Sequence, residues 1–131
     1  LSRGAYPVIF NEQDKKRFSF IKKTIDSFQL NHNAYCLNSH YKQALSYVKK
    51  KWGLVDYIFI DPPYNKNSDS FDRYEEIFLK IEKTKILAED GCIVIQCFSK
   101  NVPSENIFSF NLIQQKTYGN SILAVYIYLL K

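Results

Sequence analysis

The sequence predicts an α/β fold, an open and mostly parallel sheet with an antiparallel region at its C-terminal end. Three observations carry that expectation. Short apolar runs alternate with segments whose apolar residues recur at helical spacing. The run VDYIFI (55–60) is apolar on both faces, as in strands covered on both sides. The stretch FNLIQQKTYGNSILAVYIYLL has no helical stripe and breaks at Tyr118-Gly119-Asn120, which reads as a β-hairpin.

The elements follow in order. YPVIF (6–10) reads as the first strand. In NEQDKKRFSFIKKTIDSF, Phe18, Ile21, Ile25 and Phe28 fall on one helical face with lysines on the other. NAYCLN (33–38) is a second strand. Tyr41, Ala44, Leu45 and Val48 form a second helical stripe that closes on KKKWG, with Gly53 as its stop. The third strand (55–60) runs into DPPY, whose prolines end it. A helix with Tyr74, Ile77, Phe78 and Ile81 inward continues towards Leu87, and GCIVIQCF (91–98) is a fourth strand. There is no internal repeat, low-complexity tract or linker, so one domain, 1–131, is expected, with no second domain.

A composition of 46% hydrophobic and 16% aromatic residues supports a packed core and excludes a disordered chain. The 18 basic and 13 acidic residues leave a net charge of +5, which makes a polyanion a candidate partner. Cys36, Cys92 and Cys97 show no CxxC spacing and no clustering with His32 or His40. They read as reduced structural thiols of a cytoplasmic protein, without a metal site. No apolar run reaches transmembrane length and no signal peptide is visible, so no membrane partner is expected. The chain begins LSRGAYP and contains no methionine, which reads as part of a longer polypeptide.

DPPY, residues 61–64, lies where ligands bind in such sheets, beyond the carboxyl end of a strand. Exocyclic amino groups of nucleobases are poor nucleophiles because their lone pair is delocalised into the ring. Asp61 and the Pro62 carbonyl can accept the two N–H hydrogens and hold the nitrogen with its lone pair towards an electrophilic methyl. Pro62 and Pro63 make that carbonyl rigid, and Tyr64 can stack on an extruded base. The alternative is a strand-ending turn in which Asp61 caps a backbone N–H and Tyr64 packs in the core. Glu12, after the first strand, suits the ribose hydroxyls of a nucleoside cofactor or acts as a helix-dipole partner, the role that fits Asp14 better. Asn38, Ser39 and His40 offer hydrogen-bonding groups to an adenine edge, against a plain N-cap role for Ser39 or Asn38. The runs Lys15-Lys16-Arg17, Lys22-Lys23 and Lys49-Lys50-Lys51 are solvated faces or phosphate contacts.

LSRGA, NEQD, NSH, IFIDPPY, ILAEDGCIVI and KTYGNSILAVY occur in an order and spacing that resembles the RsmD-type methyltransferases over essentially the whole chain. DPPY is shared with adenine and cytosine amino-methyltransferases, whereas LSRGA and YGNSIL point to this family. The resemblance implies a Rossmann-like, S-adenosylmethionine-dependent methyltransferase fold. It also implies methylation of the exocyclic N2 of a guanine in 16S ribosomal RNA. By that resemblance the catalytic turn is Asp61, Pro62, Pro63 and Tyr64, and the cofactor is held by Glu12, Gln13, Ser39, His40 and Asp61. Lys116, Tyr118 and Gly119 match a hairpin motif expected to support rather than react. The implied partner is ribosomal RNA or an assembling small ribosomal subunit, with the enzyme monomeric, cytoplasmic and metal-free.

This chain departs from the family pattern at three places. His40 stands where an Asp or Asn is usual, and Gln96 where Glu is frequent. The strand and Gly-rich turn of the DLFAGSGALGLEA type that precede LSRGA in the family have no counterpart, and no GxG occurs here. The expectation is therefore a partial, C-terminal portion of a methyltransferase domain whose first strand and helix are missing. That strand would belong between the strands ending at Glu12 and Asp61. The alternatives are a non-catalytic remnant that binds RNA, or an amino-methyltransferase acting on adenine or cytosine.

Overall fold

The computed structural model describes residues 1–61, 70–99 and 104–129, so Pro62, Pro63 and Tyr64 of the DPPY turn lie outside the described residues. The chain divides into two compact units, Leu1–Tyr47 and Val48–Lys131.

The first unit contains β1 (Val8–Asn11), α1 (Lys15–Ser27), β2 (Ala34–Leu37) and the start of α2 (Tyr41–Trp52). β1 and β2 pair in parallel, with Val8 opposite Ala34 and Asn11 opposite Leu37. Asp14 caps α1, its carboxylate accepting from the Arg17 N–H at 3.0 Å. Ile25 is buried and Phe18 and Ile21 are half-buried on the inward face. Phe28, expected on that face, is 69% exposed, because it is the C-cap where the helix has already ended. Gln29 there takes φ 56°, and the N–H groups of Gln29 and Leu30 donate to the Asp26 and Ile25 carbonyls. This is the Schellman closure with glutamine in the position glycine usually takes.

The second unit holds the rest of α2, then β3 (Val55–Ile60), α3 (Ser70–Thr84), β4 (Leu87–Phe98), β5 (Asn106–Ile107), β6 (Phe110–Tyr118) and β7 (Ser121–Tyr128). Its sheet runs β3-β4-β7-β6-β5, parallel between β3 and β4 and antiparallel thereafter. The described strands therefore form two hydrogen-bonded groups, β1-β2 in the first unit and β3-β4-β7-β6-β5 in the second. α3 stops before Leu87 because Lys85 turns to φ 53° while its N–H still reaches the Ile81 and Glu82 carbonyls. β4 consequently starts at Leu87 rather than at residue 91. Its early part bulges: Val55 faces Leu87, but Tyr57 faces Cys92. Gly91 sits in that bulge, where a Cβ would lie 2.7 Å from the Asp56 carbonyl oxygen.

The core forms where α3 covers the sheet. Tyr74, Ile77, Phe78 and Ile81 are buried, as are Ile60, Ile93, Ile95, Cys97, Ile122, Ala124 and Tyr126. The Phe78 ring meets Tyr126 and Phe110 edge-on, at 4.9 and 5.5 Å between centroids. On the opposite face of β3, Tyr57 and Phe59 are 74% and 61% exposed, although this strand was expected to be covered on both sides. β3 is the edge strand of its sheet, and that face points away from the side α3 covers. Among the described residues, no helix is long and apolar enough to cross a membrane.

Candidate active site

The candidate residues of the first unit gather at the carboxyl ends of the parallel strands β1 and β2. Asn11, the last residue of β1, and Ser39 bond reciprocally. The Asn11 Nδ2 donates to the Ser39 carbonyl at 3.0 Å, and the Ser39 hydroxyl donates to Asn11 Oδ1 at 3.1 Å. The Asn38 amide donates to both the Glu12 and Gln13 carbonyls, at 2.8 and 3.0 Å. The Glu12 N–H in turn reaches the Leu37 carbonyl at 3.0 Å. The two loops thus hold each other, and Glu12 and Gln13 are fixed against Asn38 through their backbones.

Because Asn38 and Ser39 face the β1 loop, neither caps α2. That position falls to His40, whose carbonyl accepts from the Gln43 and Ala44 N–H groups and whose Nδ1 accepts from the Lys42 N–H at 3.3 Å. A neutral imidazole that accepts at Nδ1 carries its proton on Nε2, so the exposed ring offers a donor there. Tyr41 packs against the ring at 4.5 Å.

The Glu12 side chain is 27% exposed; its Oε1 accepts from the Asp14 N–H at 3.3 Å and lies 3.9 Å from Arg17 Nη1. Arg17 is 71% exposed, so that ion pair holds the carboxylate weakly and leaves it able to accept from a ligand. The Glu12 carboxylate can accept from a hydroxyl-bearing ligand, and the exposed Gln13 amide and imidazole N–H offer further hydrogen-bonding groups at the same strand ends. Cys36, beside them on β2, has its thiol pushed up by burial, with Lys22 opposing and Glu12 adding to the shift.

In the second unit, Asp61 is exposed and directly follows Ile60, which is buried and pairs with Ile95. It therefore stands at the carboxyl end of the other parallel pair, β3 with β4. The Lys49-Lys50-Lys51 run occupies the last turn of α2, where cations are favoured by the helix dipole. The reading of the sequence missed Asn11 and the bridging role of Asn38. The only signal for either was an amide residue directly after an apolar strand, in FNE and LNS.

A family model described as "Conserved hypothetical protein 95" matches residues 1–127. The Bacillus subtilis protein named "Putative rRNA methyltransferase YlbH" is 26% identical over 126 residues, covering 96% of this chain. The chain spans 66% of that relative's length. Among solved structures, "Putative methyltransferase yhhF from Escherichia coli" superposes with a TM-score of 0.75 at 22% identity, over 99% of this chain and 68% of its own. A second, "SMU.776, a putative methyltransferase complexed with SAH", gives 0.61 at 14% identity, over 95% of this chain and 40% of its own.

Proposed function

Since the chain belongs to the RsmD-type methyltransferase family, we propose that the protein transfers a methyl group from S-adenosylmethionine to the exocyclic N2 of a guanine in small-subunit ribosomal RNA. The observation that carries this reading is positional. In each unit taken by itself, the candidate residues stand at the carboxyl ends of a parallel strand pair, Glu12 to His40 in one and Asp61 in the other. The rRNA substrate is suggested by the name of the curated relative, and guanine N2 by the LSRGA and YGNSIL motifs.

The chemistry needs positioning more than acid–base strength. Glu12 accepts from the cofactor's ribose hydroxyls, Gln13 and Ser39 line its adenosine part, and His40 donates from Nε2 to a ring nitrogen of the adenine. The cofactor, when bound, supplies a methyl group on a positively charged sulfur. Asp61 and the Pro62 carbonyl accept the two amino hydrogens of the guanine, Pro63 stiffens the turn, and Tyr64 stacks on the base. Stacking of this kind is worth about 1–3 kcal/mol, and fixed orientation lowers the barrier further. With the cofactor bound, Asp61 or water would take up the amino proton as the methyl group passes to nitrogen and the sulfur keeps the electron pair of its former bond to carbon. The enzyme acts as a cytoplasmic monomer on ribosomal RNA or on the assembling small subunit, with no metal in the step.

The test is Asp61→Ala in the full-length polypeptide that carries these residues. Turnover should be abolished while calorimetric binding of S-adenosylmethionine is largely retained. Turnover comparable to the unsubstituted protein would refute the assignment.

A further inference from the structure

The β6–β7 hairpin has an exposed end that neither the fold nor the proposed chemistry uses. Every residue from 113 to 120 is exposed, although β6 is hydrogen-bonded to β7 along its length. Gly119 takes φ 57° in the two-residue turn that closes it. Tyr118 is 52% exposed, and the Lys116 ammonium lies over its ring at 5.4 Å. That contact holds a flat aromatic surface and a positive charge side by side.

The register fixes where this end lies. Tyr118 faces Ser121, which faces Phe98 at the end of β4. Lys116 faces Leu123, which faces Gln96. Ile60 faces Ile95 in the same β4, so Asp61 and the hairpin tip emerge at the same end of the five-stranded sheet. Three interstrand steps of about 4.8 Å and about two residues along the strand put them roughly 16 Å apart. Tyr118 and Lys116 also share one face. The neighbouring strand buries Ile122, Ala124 and Tyr126 on the α3 side, so residues opposite Ser121 and Leu123 lie on the other. Phe98, 38% exposed, lies in the same cross-strand row as Tyr118.

We propose that this hairpin tip is a contact for single-stranded RNA beside the target base, with Tyr118 as a stacking platform for a flanking base and Lys116 as a phosphate contact. The inference rests on the proposed function, because it takes Asp61 as the place of the reacting base. An aromatic ring is indifferent to which base it stacks on, so the contact adds affinity and register rather than sequence choice.

The experiment measures RNA binding and steady-state methylation of ribosomal RNA by Tyr118→Ala, Tyr118→Phe and Lys116→Glu in the full-length polypeptide. Lys116→Glu keeps a charge on the part of β6 that extends beyond its pairing with β5, where a charge also protects against strand pairing, and so separates phosphate contact from solubility. Tyr118→Ala should weaken RNA binding and raise KM about 5- to 100-fold with kcat little changed. Tyr118→Phe should restore most of it. Lys116→Glu should weaken binding and reduce the slope of affinity against salt by about one counterion. Unchanged RNA affinity and KM in Tyr118→Ala and Lys116→Glu, with methylation intact, would overturn the inference and leave the function standing. Failure of the unsubstituted protein to methylate or bind RNA would instead remove the reading on which it rests.

Discussion

Replacing Asn38 tests whether the two loops at the carboxyl ends of β1 and β2 hold each other in place. Its amide makes two hydrogen bonds, to the Glu12 and Gln13 carbonyls at 2.8 and 3.0 Å. A side-chain hydrogen bond contributes about 0.5–1.5 kcal/mol net, and Asn38 is exposed, so Asn38→Ala should cost about 1–2 kcal/mol in urea unfolding. Affinity for S-adenosylmethionine should fall by about fivefold or more, because Glu12 and Gln13 lose the partner that fixes their backbone. Asn38→Asp should be worse than Ala on both readouts, since it sets a carboxylate against two carbonyl oxygens. Ser39→Ala, which removes only the bond to Asn11 Oδ1, should cost less than either. Calorimetric titration and the unfolding midpoint read the two effects separately. An Asn38→Asp protein as stable and as tight-binding as Asn38→Ala would refute the reasoning.

Three further outcomes follow from the packing. Gly91→Ala should destabilise the second unit by about 1–3 kcal/mol in denaturant unfolding, because its Cβ would meet the Asp56 carbonyl at 2.7 Å and Leu87 Cδ1 at 2.8 Å. Gln29→Gly should stabilise by about 0.5–1 kcal/mol, since Gln29 holds a left-handed φ of 56° that glycine adopts without strain. The Tyr126 phenol donates to the Ser104 carbonyl at 2.9 Å and is raised above its ordinary 10.0 by burial, with Cys97 and Tyr74 adding to the shift. The folded state therefore holds this proton more tightly than the unfolded state. Its stabilising contribution is complete below pH 10 and is lost as the pH rises beyond it. Tyr126→Phe should lower stability by about 1 kcal/mol at neutral pH and flatten the alkaline limb of the stability curve.

How far the fold could be read from the sequence depended on where its signals were local. β3 was found with its correct bounds because VDYIFI is framed by Gly53 and by the prolines. α2 ended at Gly53 as expected, with φ 86°. The ends of α1 and α3 were misjudged because glutamine and lysine, not glycine, take the left-handed position there. β5 is two residues long, too short to show alternation. Asp14 was rightly placed at a helix start, but the N-cap of α2 moved to His40. That shift depends on Asn38 and Ser39 turning towards Asn11, Glu12 and Gln13, which lie far away in sequence, so no local pattern encodes it.

The most direct test of the central claim is the identity of the methylated nucleoside. The full-length polypeptide would be incubated with unmethylated small-subunit ribosomal RNA, alone and in assembling subunits, and S-adenosylmethionine carrying an isotopically labelled methyl. The RNA would then be digested and its nucleosides resolved by mass spectrometry. Label should appear in N2-methylguanosine and be lost in Asp61→Ala. Label in N6-methyladenosine or N4-methylcytosine would contradict the assignment to guanine, and label in no nucleoside would contradict the assignment of methyl transfer to RNA.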